Sequence, residues 1–344
     1  MTRNRSSSVY LVWLFGTMLV LLAVSVALSF YFEPLTGDLT RIGPWSERDF
    51  GPRDPQSAVA RRAGNSTGAR PQVLVLGDSF SYANTWQSYL AEFGKFETQS
   101  FQFKDVGCID NWLNWVFEQR GSGAQILIIQ VAERGFVPLF AGTRTCPRSL
   151  PKATGADMKD KRVAGIFSGL TIDVVYLFRT AMNTARLRFL DGRFGSGDTV
   201  NVPLNTPALF SNRRADRLLY YAEDENKRAW TDKDIRAAVD NLQQIQARIA
   251  RNELRLVLAV VPDKSTVYRP YILTGGDRDE YPDIFPAIAT AGINSVDLLK
   301  LFRRQVDQVV DLYLPNDTHL GSTGYRLMAV EILEHLKREG GSRH

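Results

Sequence analysis

The chain has 344 residues, 44% of them hydrophobic and 11% aromatic, enough for one large domain or two small ones and too apolar for a disordered tail. Its formal net charge is +5. Two of the basic residues, Arg3 and Arg5, precede an apolar run, so the surplus left for the rest is too thin to argue for a nucleic-acid partner. A weakly basic surface tolerates an anionic polymer, although a plain solvated surface explains it more simply.

Residues 1–8 are polar and basic and read as a cytoplasmic tail. An uncharged apolar run follows over 9–32. At about 1.5 Å per residue, such a helix spans the roughly 30 Å hydrocarbon layer. We expect a transmembrane signal-anchor, with the basic flank cytoplasmic and the rest of the chain extracytoplasmic. A cleaved signal peptide is the alternative, with Ser25-Val26-Ala27 as its small residues; either way the remainder is exported. Both cysteines, Cys108 and Cys146, then lie where a disulfide persists, and they are either paired or two buried thiols.

From 33 to 70 the chain is rich in Gly, Pro, Ser and Arg, with Gly43-Pro44, Gly51-Pro52 and Asp54-Pro55 as turn signals. This reads as a linker, either a stalk or a segment draped over the domain that occupies 71–344. That domain opens with a strand over 73–76. Gly77-Asp78-Ser79 stops it, and Tyr82, Trp86, Leu90 and Phe93 mark one face of a following helix. Ser79 is thus expected on a strand-to-helix turn, where a hydroxyl stands at the carboxyl edge of a sheet. Taken alone, Ser79 reads better as a helix cap.

A second strand is expected over 96–103 and a helix carrying Trp112, Trp115 and Val116 after it. A third strand over 125–131 has an unbroken apolar run at 126–129, as a strand covered on both faces should. The stretch 138–230 is an insertion with one helix expected near 171–190 and no order legible from periodicity. Regularity returns at Thr231-Asp232-Lys233-Asp234, a helix start, followed by the stripe Ile235, Val239, Leu242, Ile245 and Ile249. A fourth strand over 254–261, a short edge strand near 293–297 and a final helix from about 322, with Tyr325, Met328, Ile332 and Leu336 inward, complete the pattern. Alternating strands and helices argue for an α/β three-layer sandwich with a mostly parallel sheet, preceded by one transmembrane helix.

The chain has three histidines. His344 is the last residue and His335 lies near the end of the terminal helix, which leaves His319 as the candidate base. It stands in a loop two residues after Asp317, so the carboxylate can orient the ring while the other ring nitrogen faces a hydroxyl. Ser79, His319 and Asp317 complete a serine-nucleophile triad. One usable His and two separated Cys do not build an ordinary His- or Cys-based catalytic metal site, and no cofactor is called for.

Gly77-Asp78-Ser79-Phe80 early in the domain and Asp317-Thr318-His319 near its end resemble the SGNH or GDSL hydrolase superfamily. The closer resemblance is to its alginate O-acetyltransferase branch, where acid and base are two residues apart. Val261-Pro262-Asp263-Lys264, Tyr268 and Glu133-Arg134 are also similar to that branch. The resemblance implies an O-acetyltransferase of the bacterial inner membrane, single-pass, with its catalytic domain in the periplasm. It would carry an acyl group on Ser79 to hydroxyls of an exported polysaccharide, supplied by a membrane-bound O-acyltransferase partner. An esterase that deacetylates the polymer, and a non-catalytic polysaccharide-binding scaffold subunit, are the alternatives. Two departures stand out. Many superfamily hydrolases carry Asp where this chain has Asn316, and the Gly-x-Asn-Asp block that supplies an oxyanion-hole asparagine is replaced by Gln130-Val131-Ala132-Glu133-Arg134. The oxyanion and substrate-contact candidates are therefore the Ser79 backbone N–H, Gly107, Lys264, Tyr268 and Arg134.

Overall fold

In the computed structural model the described residues are 3–31, 36–43, 45–57, 71–118, 123–142, 198–273 and 281–341. Five parallel strands form the central sheet: β1 (Val73–Gly77), β2 (Thr98–Gln102), β3 (Ile126–Ala132), β6 (Arg255–Val261) and β7 (Ser295–Val296), in the order β2-β1-β3-β6-β7. The central strands are buried on both faces, and their side chains sort by the period of two. Val73, Val75, Ile126, Ile128, Val257 and Ala259 face one layer, which includes the helices Thr85–Gly94 and Ser322–Gly341. Leu74, Leu76, Leu127, Ile129, Leu256 and Leu258 face the other, built from Ile109–Glu118, Asp232–Arg251 and Ile284–Thr290. This is the three-layer α/β arrangement the alternation predicts.

Local signals account for several boundaries. Thr231 and Asp234 form a reciprocal capping box at the start of Asp232–Arg251, and Ile235, Val239, Leu242, Ile245 and Ile249 are all buried beneath it. The stripe expected after Ser79 does not hold together. Asn84 adopts φ 51°, which splits the segment into Ser79–Tyr82 and Thr85–Gly94 and rotates the second piece against the first. Trp86 and Leu90 are buried, whereas Tyr82 and Phe93 are exposed.

The described part of 33–70 is no free stalk. Two short helices, Asp38–Ile42 and Glu47–Phe50, lie against the domain, where Leu39 and Phe50 cluster with Leu219. Trp45 Nε1 donates to Thr199 Oγ1 at 2.8 Å, the Arg53 N–H donates to Ser211 Oγ, and the Ser322 N–H donates to Gln56 Oε1. We call residues 36–57 the strap. Within the insertion, 198–230 supplies an antiparallel pair, β4 (Thr199–Pro203) with β5 (Arg217–Tyr221), and a 3-10 segment Ala222–Ala229. The helix expected near 171–190, Cys146 and His344 lie outside the described residues. Cys108 is disulfide-bonded, and Cys146 is the one other cysteine in the sequence.

Arg3–Tyr31 is one helix, and its side chains from 8 to 24 are exposed. Among the described residues no helix is long and apolar enough to cross a membrane. The expected anchor over 9–32 extends past the side chains described there and is taken up below as a proposal.

Candidate active site

Ser79 stands where β1 ends, with an exposed side chain whose Oγ makes no hydrogen bond among the described residues. The turn beneath it is tightly built. Asp78 Oδ1 accepts from the Phe80 N–H at 3.0 Å and caps Ser79–Tyr82, while Asp78 Oδ2 accepts from the Ala132 N–H at 2.6 Å, tying the turn to the end of β3. Gln130 Oε1 accepts from Ser81 Oγ at 2.7 Å and from the Asp78 N–H at 3.3 Å. A methyl group at Gly77 would run into Ser81 and Gln130, so only glycine lets these three meet.

Phe80 turns inward, and its ring lies 4.9 Å from that of His319, centroid to centroid. The imidazole is thereby set beside the residue that follows Ser79. His319 Nδ1 is 2.6 Å from Asp317 Oδ1, which also accepts from the His319 N–H at 2.9 Å. With Nδ1 engaged, Nε2 is the nitrogen left for a proton from outside the pair. Burial opposes charge on the ring, but the hydrogen bond and charge of Asp317, then the charges of Asp38 and Asp78, raise the His319 pKa above its usual value. Burial would likewise raise Asp317, yet its bond to His319 holds that carboxyl down at about 2. The structure therefore brings Asp317 and His319 together and places their ring against the Ser79 turn.

The strap supplies what sequence reading missed. Asp38 Oδ1 accepts from the Thr318 N–H at 2.8 Å and Asp38 Oδ2 from Thr318 Oγ1 at 2.5 Å; in return, the Asp38 N–H donates to Asp317 Oδ2 at 3.1 Å. Asp38 Oδ2 lies 3.6 Å from His319 Nδ1. Glu47, buried in the strap, accepts from Asn316 Nδ2 and Thr40 Oγ1. Asn316 thus binds the strap in place of orienting the histidine. A methyl group at Gly37 would strike Asn316, so close approach requires glycine there as well. Turn signals in 36–57 marked bends, but nothing local announces a partner some 280 positions away.

Asp38, Asp317 and His319 bring one ligand atom each within 4.8 Å of one another, the one such group among the described residues. Nδ1 is already committed to Asp317, and Asp38 to Thr318. The set reads as a hydrogen-bonded relay.

The expected contact residues divide. Gly107 is exposed past the end of β2, at φ 73°, and Lys104 Nζ, three residues before it, lies 5.3 Å from the Tyr82 ring. Gly107 stays a candidate oxyanion donor. Lys264 and Tyr268 are both buried. Lys264 is buried, and its Nζ donates to the carbonyls of Leu314, Pro315 and Asp317 at 2.7, 3.0 and 3.2 Å, clamping the histidine loop. Burial lowers its pKa to about 7. Tyr268 is fully buried, stacked on Phe210, and its hydroxyl accepts from the Tyr313 N–H at 3.2 Å. Arg134 is tied to Asp263 at 2.7 Å and Asp224 at 3.4 Å in a network that also holds Lys227 and Glu133, leaving its side chain 18% exposed.

No curated protein and no solved structure matches the chain at a significant level. The matched family stretch takes in Lys264, Tyr268, Asp317 and His319 and leaves Ser79 to the part before it. Residues 215–343 match the family described as SGNH hydrolase-like domain, acetyltransferase AlgX, the branch that the two motifs resemble.

Proposed function

We propose that the chain is an extracytoplasmic serine O-acetyltransferase acting on an exported polysaccharide. The observation that carries this reading is the 2.6 Å Asp317–His319 pair with its ring against Phe80, one residue from an exposed Ser79. His319 takes the Ser79 proton through Nε2 as Oγ attacks the carbonyl carbon of an acyl donor. The tetrahedral oxyanion collapses, and the protonated ring passes its proton to the leaving group. In the second half the ring takes the proton of a sugar hydroxyl, which attacks the acyl carbon; the new tetrahedral oxyanion collapses, the acyl–Oγ bond breaks, and the ring returns its proton to Ser79 Oγ. The Ser79 and Gly107 N–H groups are the proposed oxyanion donors; one such donor is worth about 3 kcal/mol of transition-state stabilisation in other serine enzymes.

In this reading the apolar run 9–32 anchors the protein in the bacterial inner membrane with its domain in the periplasm. A membrane-bound O-acyltransferase supplies the acyl group. Hydrolysis is the second reading, favoured by the solvent exposure of Ser79, which admits water to the acyl-enzyme.

A serine-directed sulfonyl or phosphonate probe tests the core of the proposal. Labelling of the wild type at Ser79, lost in Ser79→Ala and His319→Ala, is expected. A folded wild type that takes no label would instead support a binding scaffold. Acetyl transfer to an oligosaccharide faster than release of free acetate separates transferase from esterase.

A further inference from the structure

We infer that Asp38, carried by the strap, is a positioning residue of the active site that acts on His319 through the Asp317-Thr318-His319 loop. The inference rests on the acyl-transfer reading of this site and adds to it a residue from outside both motifs.

Four contacts make the case. The Asp38 carboxylate takes both hydrogens that Thr318 offers, from its N–H and its hydroxyl, while the Asp38 N–H binds the Asp317 oxygen not in contact with the ring. The Leu39 N–H donates to the Asn316 carbonyl at 3.0 Å. Residues 316, 317 and 318 are therefore each held by residue 38 or 39. Asp317 is kept with one oxygen toward the strap and the other toward Nδ1, which sets the ring's orientation. The second carboxylate, 3.6 Å from Nδ1, places a further negative charge behind the base.

Carboxylates on three separate elements act on His319. Asp317 on its own loop, Asp38 on the strap and Asp78 on the Ser79 turn all favour the imidazolium. Lys264 faces the two carboxylates Asp38 and Asp317 from beneath the loop. Burial and the Asp317 charge push the Asp38 carboxyl up, so Asp38 is the member of the carboxylate pair that a proton reaches first on acidification.

The experiment uses the detergent-solubilised full chain with 15N-labelled histidine. His319 is followed by its imidazole resonances, and His335, whose Nε2 lies 2.7 Å from Asn294 Oδ1, reports folding independently. Asp38→Asn keeps the size and hydrogen-bonding reach of the side chain and removes its charge. The expected result is a His319 pKa lower by about one unit, as for loss of a neighbouring opposite charge. Because the base must be neutral to accept a proton, the acid limb of Ser79 labelling should move to lower pH by the same amount. Asp38→Ala should shift the titration likewise and also lower the labelling plateau, since the loop loses its clasp. A His319 titration and labelling limb unmoved in either variant, with the His335 signal at its wild-type position, would overturn the inference: Asp38 would then be only a fastener. Failure of wild-type Ser79 to label would overturn the acyl-transfer reading and with it the catalytic meaning of Asp38, whereas an unmoved titration in a labelled enzyme overturns the role of Asp38 alone.

Discussion

Asp317 and Asn316 are neighbours on one loop with opposite allegiances, one to the histidine and one to the strap. Asp317→Asn removes the acceptor that fixes the ring's tautomer and should lower the Ser79 labelling rate by about 10³–10⁴-fold, as comparable triad changes do. Asn316→Ala leaves the pair intact but deprives buried Glu47 of a donor, and a cost of about 1–3 kcal/mol is expected in urea unfolding with only a small change in labelling. The reverse order of effects on labelling would show that the acid is misassigned. Lys264 offers a pH signature. Its folded pKa of about 7 lies below the 10.5 of an exposed amine. Between those values the unfolded chain holds the extra proton, so the Lys264 contribution makes stability rise as pH climbs from about 7 toward 10.5. Lys264→Met should lose that rise in urea unfolding measured across the window. It should also be less stable throughout, because three carbonyls lose their donor. An unchanged pH slope would mean that the amine is charged in the folded state.

At the level of elements, what was legible was what is local. The apolar strands 73–77 and 126–132 lie within a residue or two of where runs of Val, Leu and Ile put them, and the Thr231–Asp234 capping box marks its helix start. The Asp317–His319 loop was legible because carboxylate and imidazole are two residues apart and histidine is scarce. What was hidden depends on distant partners or on one backbone torsion. Asn84 broke a helix that the spacing of Tyr82, Trp86, Leu90 and Phe93 had promised. Lys264, Tyr268 and Arg134 are contact candidates beside the family-like motifs, but Lys264 and Tyr268 are buried and Arg134 is tied to Asp263, so all three fasten the fold. The same holds for the 3-10 segment Ala222–Ala229, whose composition is that of a solvated loop. Lys227 from this segment is fully buried, with Nζ 3.1 Å from Glu133 Oε2 and 2.8 Å from Asp263 Oδ2. It thereby joins the ends of β3 and β6. Burial works against its charge, but Asp263, Glu133 and Asp224 together hold the amine protonated. Lys227→Met strands two buried carboxylates and should cost about 3–5 kcal/mol, read as a fall in the urea midpoint. A near-neutral substitution would mean that water reaches these groups.

For the whole molecule, the strap changes how an anchor would matter. The helix Arg3–Tyr31 ends only a few residues before Asp38, which touches the histidine loop. A fully extended chain covers at most about 3.6 Å per residue, so the peptide from Tyr31 to Asp38 reaches no farther than roughly 25 Å. If the helix is the anchor, the active site is leashed close to the bilayer, and the same short connection both anchors the enzyme and presents Asp38 to its base. That suits an acyl group handed over by a membrane-bound partner, where a high local concentration replaces tight binding. Inserting about twenty Gly and Ser residues within 32–35 separates these roles, because the strap can still dock while the leash lengthens. The longer protein should remain in the membrane fraction through alkaline extraction and label at Ser79 at the wild-type rate. Acylation of the exported polymer, measured in membranes that contain the partner, should fall. Equal acylation would show that leash length is irrelevant and the donor reaches the enzyme through solution. Recovery of the protein in the soluble fraction would remove the anchor itself.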